Sequence, residues 1–397
     1  MYRDVENKYS VFYIPFSKQE LMKMKFVHLA DLHIGKRVNG FSMIEDQKYI
    51  LSQIADIIKS ENPDAIIIAG DVYDKSVPTA EAVCLLDSFF TSLCSLCTHI
   101  FVISGNHDSS ERLAFCSGAL KNSGLYISPV FDGKVMSVDM TDEFGTVAVH
   151  LLPFVKPSVV RAVYEIEDSL TYTEAVSEVV SRMEVDETKR NVLVAHQFVT
   201  GSARSESEEV SVGGLDDVDA AVFAPFDYTA LGHIHRPQQH GANIRYSGSP
   251  LKYSFSEAAY DKSVTVVTLG AKGDVAVDTV PLVPMHDMRE IKGSYMQITD
   301  KSFYENFASD DYVHITLTDE DDIIDAVGKL RSIYPNIMKL DYDNERTRAN
   351  AEITVDTELR SKTPSELFSE LYKMQNNADM TEKQRNFLTE LLENIRG

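Results

Sequence analysis

From residue 24 onward the chain alternates short apolar runs with stretches whose apolar residues recur at helical spacing. Phe26-Val27-His28-Leu29-Ala30 reads as a strand, and Ile50, Leu51, Ile54, Ile57 and Ile58 then fall at helical spacing. Ala65-Ile66-Ile67-Ile68-Ala69 is a buried strand, the stretch near 80–97 is helical, and Ile100-Phe101-Val102-Ile103 is the next strand. Val192-Leu193-Val194-Ala195 and Tyr228-Thr229-Ala230-Leu231 follow later. Strands alternating with helices predict a largely α/β sheet covered on both faces.

Polar residues follow these strands at once: Asp31 and His33, Asp71, Asn106 and His107, His196, then His233 and His235. Open α/β sheets place their ligand sites beyond the carboxyl ends of strands. Separate segments therefore deliver metal-type side chains to one edge. After about residue 280 the pattern changes. Strand-like pieces at 295–300, 312–318, 337–342 and 351–355 surround a helix near 321–333, which predicts a small α+β domain. Thr363-Pro364-Ser365-Glu366 has the form of a helix start with a capping box, and Thr381-Glu382-Lys383-Gln384 repeats the box without the proline.

The length of 397 residues favours more than one domain. No apolar run approaches a membrane span. Residues 1–23 carry Asp4, Glu6 and Glu20 and no signal-type apolar core, so they are expected to be a disordered extension. Cys94 and Cys97 have C-x-x-C spacing but no second pair, and their apolar, helix-like surroundings predict buried free thiols, consistent with a reducing cytoplasm. A net charge of −23 argues against a nucleic-acid partner, since polyphosphate attraction normally shows as a basic surface.

The strand-end residues change that picture. Asp31 and His33 are two apart and on a strand point the same way. Asp71 lies in Gly70-Asp71-Val72-Tyr73-Asp74, and a carboxylate with two oxygens can bridge two cations. Gly105-Asn106-His107-Asp108 offers an amide oxygen and an imidazole; Gly232-His233-Ile234-His235 and His196 add three more imidazoles. Carboxylate, amide and imidazole ligands without thiolate suit Mn²⁺, Fe²⁺ or Zn²⁺ better than Ca²⁺. Two such cations could clamp a phosphate and activate a water, so no Ser or Cys nucleophile is required. Any one of these residues alone is an ordinary capped histidine or turn aspartate; the ordered set is not.

That ordered set, D-x-H, G-D-x-x-D, G-N-H-D, H, G-H-x-H, resembles the calcineurin-like metallophosphoesterase superfamily. The stretches 226–238, with Gly232-His233-Ile234-His235-Arg236-Pro237, and 246–255, with Ser247-Gly248-Ser249-Pro250, are similar to its SbcD branch of break-repair nucleases, as is Leu29-Ala30-Asp31-Leu32-His33-Ile34-Gly35-Lys36. The resemblance covers about residues 24–397 and is weakest at 130–190 and 270–360. It implies an α/β metallophosphoesterase sandwich, mixed sheets flanked by helices, over 24–280. A small α+β cap over 281–361 and partner-binding helices over 362–397 would follow. It implies one metal held by Asp31, His33, Asp71 and His235, and another by Asp71, Asn106, His196 and His233. His107 would be catalytic, with Asp74 hydrogen-bonded to it. Also implied are Mn²⁺, 3′-to-5′ exonuclease action on duplex DNA ends, and hairpin cleavage with an SbcC-like ATPase. Roles in DNA recombination, replication and repair follow, in a heteromeric complex containing a homodimer. A phosphodiesterase or phosphatase of the same superfamily acting on a small molecule or a protein, and a non-enzymatic DNA-end tether or scaffold, are the competing readings. Lys36, Arg37, Arg112, Arg236 and Lys252 either touch phosphates or are ordinary surface charge. His28, His99, His150, His240, His286 and His314 fit no motif and read as structural. The apolar stripes Leu367, Phe368, Leu371, Tyr372 and Met374, and Phe387, Leu388, Leu391, Leu392 and Ile395, pack either on the chain's own second domain or on a partner.

Overall fold

The computed structural model describes residues 23–203, 205, 208, 216–305, 310–345, 347, 368–369, 372, 380–385 and 387–388. The expected extension (Lys23 apart), the piece at 351–355 and the helix start at 363–366 lie outside them. The chain divides into two compact units. The first holds the residues up to Glu290 with Phe307–His314 and Arg331–Lys339; the second holds Ile291–Asn306, Ile315–Leu330 and Leu340–Gly397.

The first unit is built on two six-stranded mixed sheets. One has the spatial order Val275–Pro281, Ser263–Leu269, Met24–Leu29, Ala65–Ala69, Ile100–Ile103, Leu125–Ile127. The other runs Gln238–His240, Ile244–Tyr246, Tyr228–Gly232, Arg190–His196, Gly145–Leu151, Met136–Asp142. Strand alternation explains the layering. Phe26, Ile67, Ala69, Phe101 and Ile103 of the first sheet pack against Val147, Val149, Val192, Val194 and Ala230 of the second. Their neighbours Val27, Leu29, Ile66 and Ile68 face outward onto Ile54 and Ile58 of helix Ile44–Glu61 and Leu86 and Phe89 of helix Ala80–Leu96. On the far side, Leu193, Ala195 and Leu231 meet Val176 and Val179 of helix Tyr172–Ser181. Because central strands are covered on both faces they read as continuous apolar runs, and Ala65–Ala69 is buried throughout.

Met24–Leu29, Ala65–Ala69 and Ile100–Ile103 are mutually parallel, as are Arg190–His196 and Tyr228–Gly232. Parallel direction brings their carboxyl ends to a common edge within each sheet. Beyond Leu29 the pairing continues as loop: Asp31, His33 and Ile34 donate backbone N–H to Gly70, Asp71 and Val72 at 3.1, 2.9 and 2.9 Å. Two successive motif loops are thereby stitched together.

The strand expected at 295–300 is instead a helix, Tyr295–Ile298, because Ser294 caps it by accepting from the Gln297 N–H. The strand lies earlier, at Met288–Gly293, beside Tyr312–Leu317 and then Ile337–Tyr342 in a three-stranded sheet. The helix expected near 321–333 is confined to Ala326–Leu330. Thr381 and Gln384 form the expected box: the Gln384 side chain accepts from Thr381 N–H at 2.9 Å and Thr381 Oγ1 from Gln384 N–H at 3.4 Å. The four cysteines are free, with Cys97 buried, Cys94 half-buried, and Cys84 and Cys116 exposed. Among the described residues no helix is long and apolar enough to cross a membrane.

Candidate metal centre

The strand-end residues converge. Asp71 Oδ2 lies 3.4 Å from His196 Nε2, 3.6 Å from His33 Nε2 and 3.9 Å from His107 Nε2. On one side of Asp71, His33 Nε2 and His235 Nε2 face each other at 3.0 Å, and ligand atoms of Asp31, His33 and His235 lie within 4.8 Å of one another. On the other side, Asn106 Oδ1 sits 3.0 Å from both His196 Nε2 and His233 Nδ1. All seven expected ligand residues thus line one site, and Asp71 stands between two groups of them.

The backbone is bent to achieve this. Asp31, His33, Asp71 and His233 all have left-handed φ, at 53°, 45°, 47° and 97°. Such conformations cost energy in non-glycine residues and concentrate at functional sites. Close approach also requires Gly105, where a Cβ would overlap the Asp71 carboxylate.

Hydrogen bonding shows what the cluster fits. The Asp31 carboxylate is fully buried; one oxygen accepts from His233 N–H at 2.9 Å and the other has no hydrogen-bond partner. His196 Nδ1 donates to the Ala69 carbonyl at 2.8 Å, so its Nε2 faces two acceptors, Asn106 Oδ1 and Asp71 Oδ2. Without a cation, Nε2 must carry a proton. Burial opposes that charge, but Asp71 outweighs it and raises the His196 imidazole to about 9. Burial likewise opposes ionisation of Asp71, yet His196, with His33 and His107, holds its carboxyl well below the usual range. Burial pushes Asp31 up to about 7 and holds His33 well below the ordinary histidine value. A divalent cation would take the place of the His196 proton and satisfy the unpartnered Asp31 oxygen, so the donor set fits such ions.

His107 is oriented differently from expectation. Its Nδ1 donates to the backbone carbonyl of Asp74 at 3.1 Å, not to the Asp74 carboxylate. That carboxylate pairs with Lys36 Nζ at 2.7 Å and lies 3.8 Å from His33 Nδ1. Asp74 therefore positions His107 through its main chain, which no side-chain motif could reveal. Of the candidate phosphate-contacting cations, Lys252 is tied to Asp287, Arg112 and Arg37 to the carbonyls of Ser76 and Gly40, and Arg236 lies over the Tyr260 ring.

Several supporting residues escaped the sequence reading. The Asp108 carboxylate accepts from the N–H groups of Val72, Tyr73 and Gly105 at 3.1, 2.9 and 2.9 Å, clamping the Asp71 loop to the His107 loop. Gln47 donates to the His33 carbonyl at 2.7 Å and accepts from Gly35 N–H at 2.9 Å, while Tyr253 OH donates to the Leu32 carbonyl at 2.6 Å. Glu208 accepts from His235 N–H at 2.7 Å. Glu257 and Lys262, both buried, form an ion pair at 2.5 Å behind His235. Asp108 closes a motif already singled out and Tyr253 lies in the stretch 246–255 that carries the family resemblance; Gln47, Glu208, Glu257 and Lys262 stand in segments with no distinguishing pattern.

Residues 24–237 match the family model for calcineurin-like phosphoesterases, and residues 284–376 match the one described as the type 5 capsule protein repressor C-terminal domain. The chain is 37% identical over 338 residues to the SbcD protein of the SbcCD nuclease of Staphylococcus epidermidis, covering 83% of this chain and 89% of that protein. Among solved structures, a dimetal phosphatase from Danio rerio aligns at 10% identity with a TM-score of 0.40, over 66% of this chain and 98% of that one. A protein from Thermus thermophilus aligns at 9% identity and 0.38, over 65% and 99%.

Proposed function

Because the chain belongs to the SbcD family of calcineurin-like phosphoesterases, we propose that it hydrolyses phosphodiester bonds at DNA ends with two divalent cations. It is a nuclease subunit and a metal-dependent phosphodiesterase. In the proposed assignment Asp31, His33, Asp71 and His235 hold one cation, and Asp71, Asn106, His196 and His233 hold the other, with Mn²⁺ in both. The observation that supports it is the position of Asp71 Oδ2, 3.4 Å from His196 and 3.6 Å from His33, members of the two opposed groups. Bound cations would supply the charge that draws in a phosphodiester and lowers the pKa of water.

The chain's own part is positioning and proton handling. Because His107 Nδ1 gives its hydrogen to the Asp74 carbonyl, Nε2 is the nitrogen left to act. Half-buried beside Asp71, it can donate to the leaving oxygen once protonated. Gln47, Tyr253 and Asp108 hold the loops so that the ligand set is formed before substrate arrives.

The finer reading is a 3′-to-5′ exonuclease on duplex ends that cleaves hairpins when joined to an SbcC-like ATPase. We place it in the cytoplasm, as a homodimer within that complex, in DNA recombination, replication and repair. Its layout is a nuclease domain over 24–280, a cap over 281–361 and partner-binding helices over 362–397. The test supplies Mn²⁺ with bis-p-nitrophenyl phosphate, then linear duplex DNA labelled at either end, then a hairpin with the ATPase and ATP. Release from labelled 3′ ends is expected. Hydrolysis of the small ester alone would replace this reading with a small-molecule phosphodiesterase, and activity on neither would leave a scaffold. Deleting 362–397 should abolish ATPase pull-down and hairpin cleavage while sparing exonuclease activity; an insoluble truncate would assign those helices to the chain's own core.

A further inference from the structure

Behind His235 lies a buried charged chain that the proposed reaction does not use. Glu257 is 0% exposed and Lys262 5%. Lys262 Nζ donates to Glu257 Oε2 at 2.5 Å, to Ser249 Oγ at 2.9 Å and to the His235 carbonyl at 2.8 Å, using all three of its hydrogens. The other carboxylate oxygen, Glu257 Oε1, accepts from Tyr253 N–H at 3.3 Å and faces His235 Nδ1 at 3.4 Å. An ion pair is costly to bury and is weak evidence for stability by itself. This one is fully hydrogen-bonded and aimed at the rear nitrogen of an imidazole whose front nitrogen enters the candidate metal centre.

We propose that Glu257, held by Lys262, is the positioning residue that fixes the tautomer and ring orientation of His235. A carboxylate oxygen can only accept, so Nδ1 must be the nitrogen that carries hydrogen. Nε2 is then left with its lone pair toward Asp31 and His33. Lys262 anchors the carboxylate from one side, and the carboxylate receives hydrogens from both Lys262 Nζ and His235 Nδ1. A carboxylate behind a ligating histidine both orients the ring and raises its basicity. The inference rests on the reading of His235 as a ligand to one of two cations.

The experiment is titration of the metal-free full chain with Mn²⁺, followed by the paramagnetic resonance of free Mn²⁺, for the wild type, His235→Ala and Glu257→Gln. In Glu257→Gln the amide oxygen turns to Lys262, which only donates, and the amide NH₂ then faces Nδ1 and forces hydrogen onto Nε2. One of two binding events should weaken about 10–100-fold, while the other, made by Asn106, His196 and His233, stays within about twofold. Nitrogen NMR of metal-free, histidine-labelled protein should show His235 with hydrogen on Nδ1 in the wild type and on Nε2 in Glu257→Gln. Unchanged binding in Glu257→Gln, equal weakening of both events, or hydrogen on Nε2 in the wild type each overturns the proposal. Unchanged binding in His235→Ala refutes the ligand assignment itself and the proposal with it.

Discussion

Replacing Asp108 by alanine tests the claim that one carboxylate holds two motif loops together. The substitution removes three acceptor contacts at once, to Val72, Tyr73 and Gly105. Hydrogen bonds to a charged group contribute about 1.5–3 kcal/mol each. Asp108 is half-buried, so water will replace part of the loss, and a net cost of about 2–4 kcal/mol is expected, against a total domain stability of roughly 5–15 kcal/mol. Asp108→Asn keeps one acceptor oxygen and should cost roughly half as much. The same change frees Asn106 and His107 relative to Asp71, and a misplacement of about 1 Å costs on the order of 10²-fold in rate. The assays are urea unfolding of the metal-free protein by circular dichroism and Mn²⁺-dependent hydrolysis of bis-p-nitrophenyl phosphate. For Asp108→Ala we expect a midpoint lowered by roughly 0.7–1.3 M at a urea slope of about 3 kcal/mol per M and turnover down at least about tenfold. An unchanged midpoint with near-normal turnover would refute the clamp.

Asp71→Ala should abolish hydrolysis and remove most bound Mn²⁺ while the fold survives; an active, fully metallated variant by elemental analysis would contradict the bridging role. His107→Gln should keep its metal and lower turnover about 10²-fold, whereas Asp74→Asn, which retains the carbonyl that His107 uses, should be far milder. Metal loss in His107→Gln would instead make His107 a ligand. Burial, with Arg245 nearby, lowers His28 to about 3, so its contribution to stability is intact above the unfolded value near 6.5 and is lost as pH falls from there toward 3. At pH 5 that is about 2 kcal/mol, and the wild type should lose that much more stability than His28→Gln between pH 7.5 and 5; equal pH slopes in urea unfolding would exclude it.

Much of this architecture was legible because central parallel strands announce themselves. Ala65–Ala69 and Ile100–Ile103 have the bounds that their apolar runs predict, and the polar residues after them could only lie at one edge. The strands at Met136–Asp142 and Val275–Pro281 went unread. Each is the outermost strand of its sheet and is mostly half-exposed or exposed, so its apolar pattern is diluted. Tyr295–Ile298 looked like a strand because its own residues favour one, and only the Ser294 cap decides otherwise. In the site, the side chains that converge could be picked out from residue type and their place after strands. The His107 contact could not, since any residue at 74 presents the same carbonyl. Glu257, at the end of a 3₁₀ turn, and Lys262, just before the strand Ser263–Leu269, are the reverse case: charged residues outside strands normally signal surface, and only burial reveals them.

The candidate ligands come from both sheets: Asp31, His33, Asp71 and Asn106 follow strands of one, and His196, His233 and His235 end or follow strands of the other. A cation there would fasten two layers that are otherwise joined by apolar packing and by hydrogen bonds such as those from His196 Nδ1 to the Ala69 carbonyl and between His28 and the Tyr228 hydroxyl, much as a cross-link joins distant points of a chain. Its binding free energy would then count toward folding, about 2.7 kcal/mol at a hundredfold excess over Kd. A chelator in a storage buffer would make the molecule easier to pry open along the seam as well as inactive. Its melting temperature would become a gauge of free metal, readable without any nucleic acid in the tube.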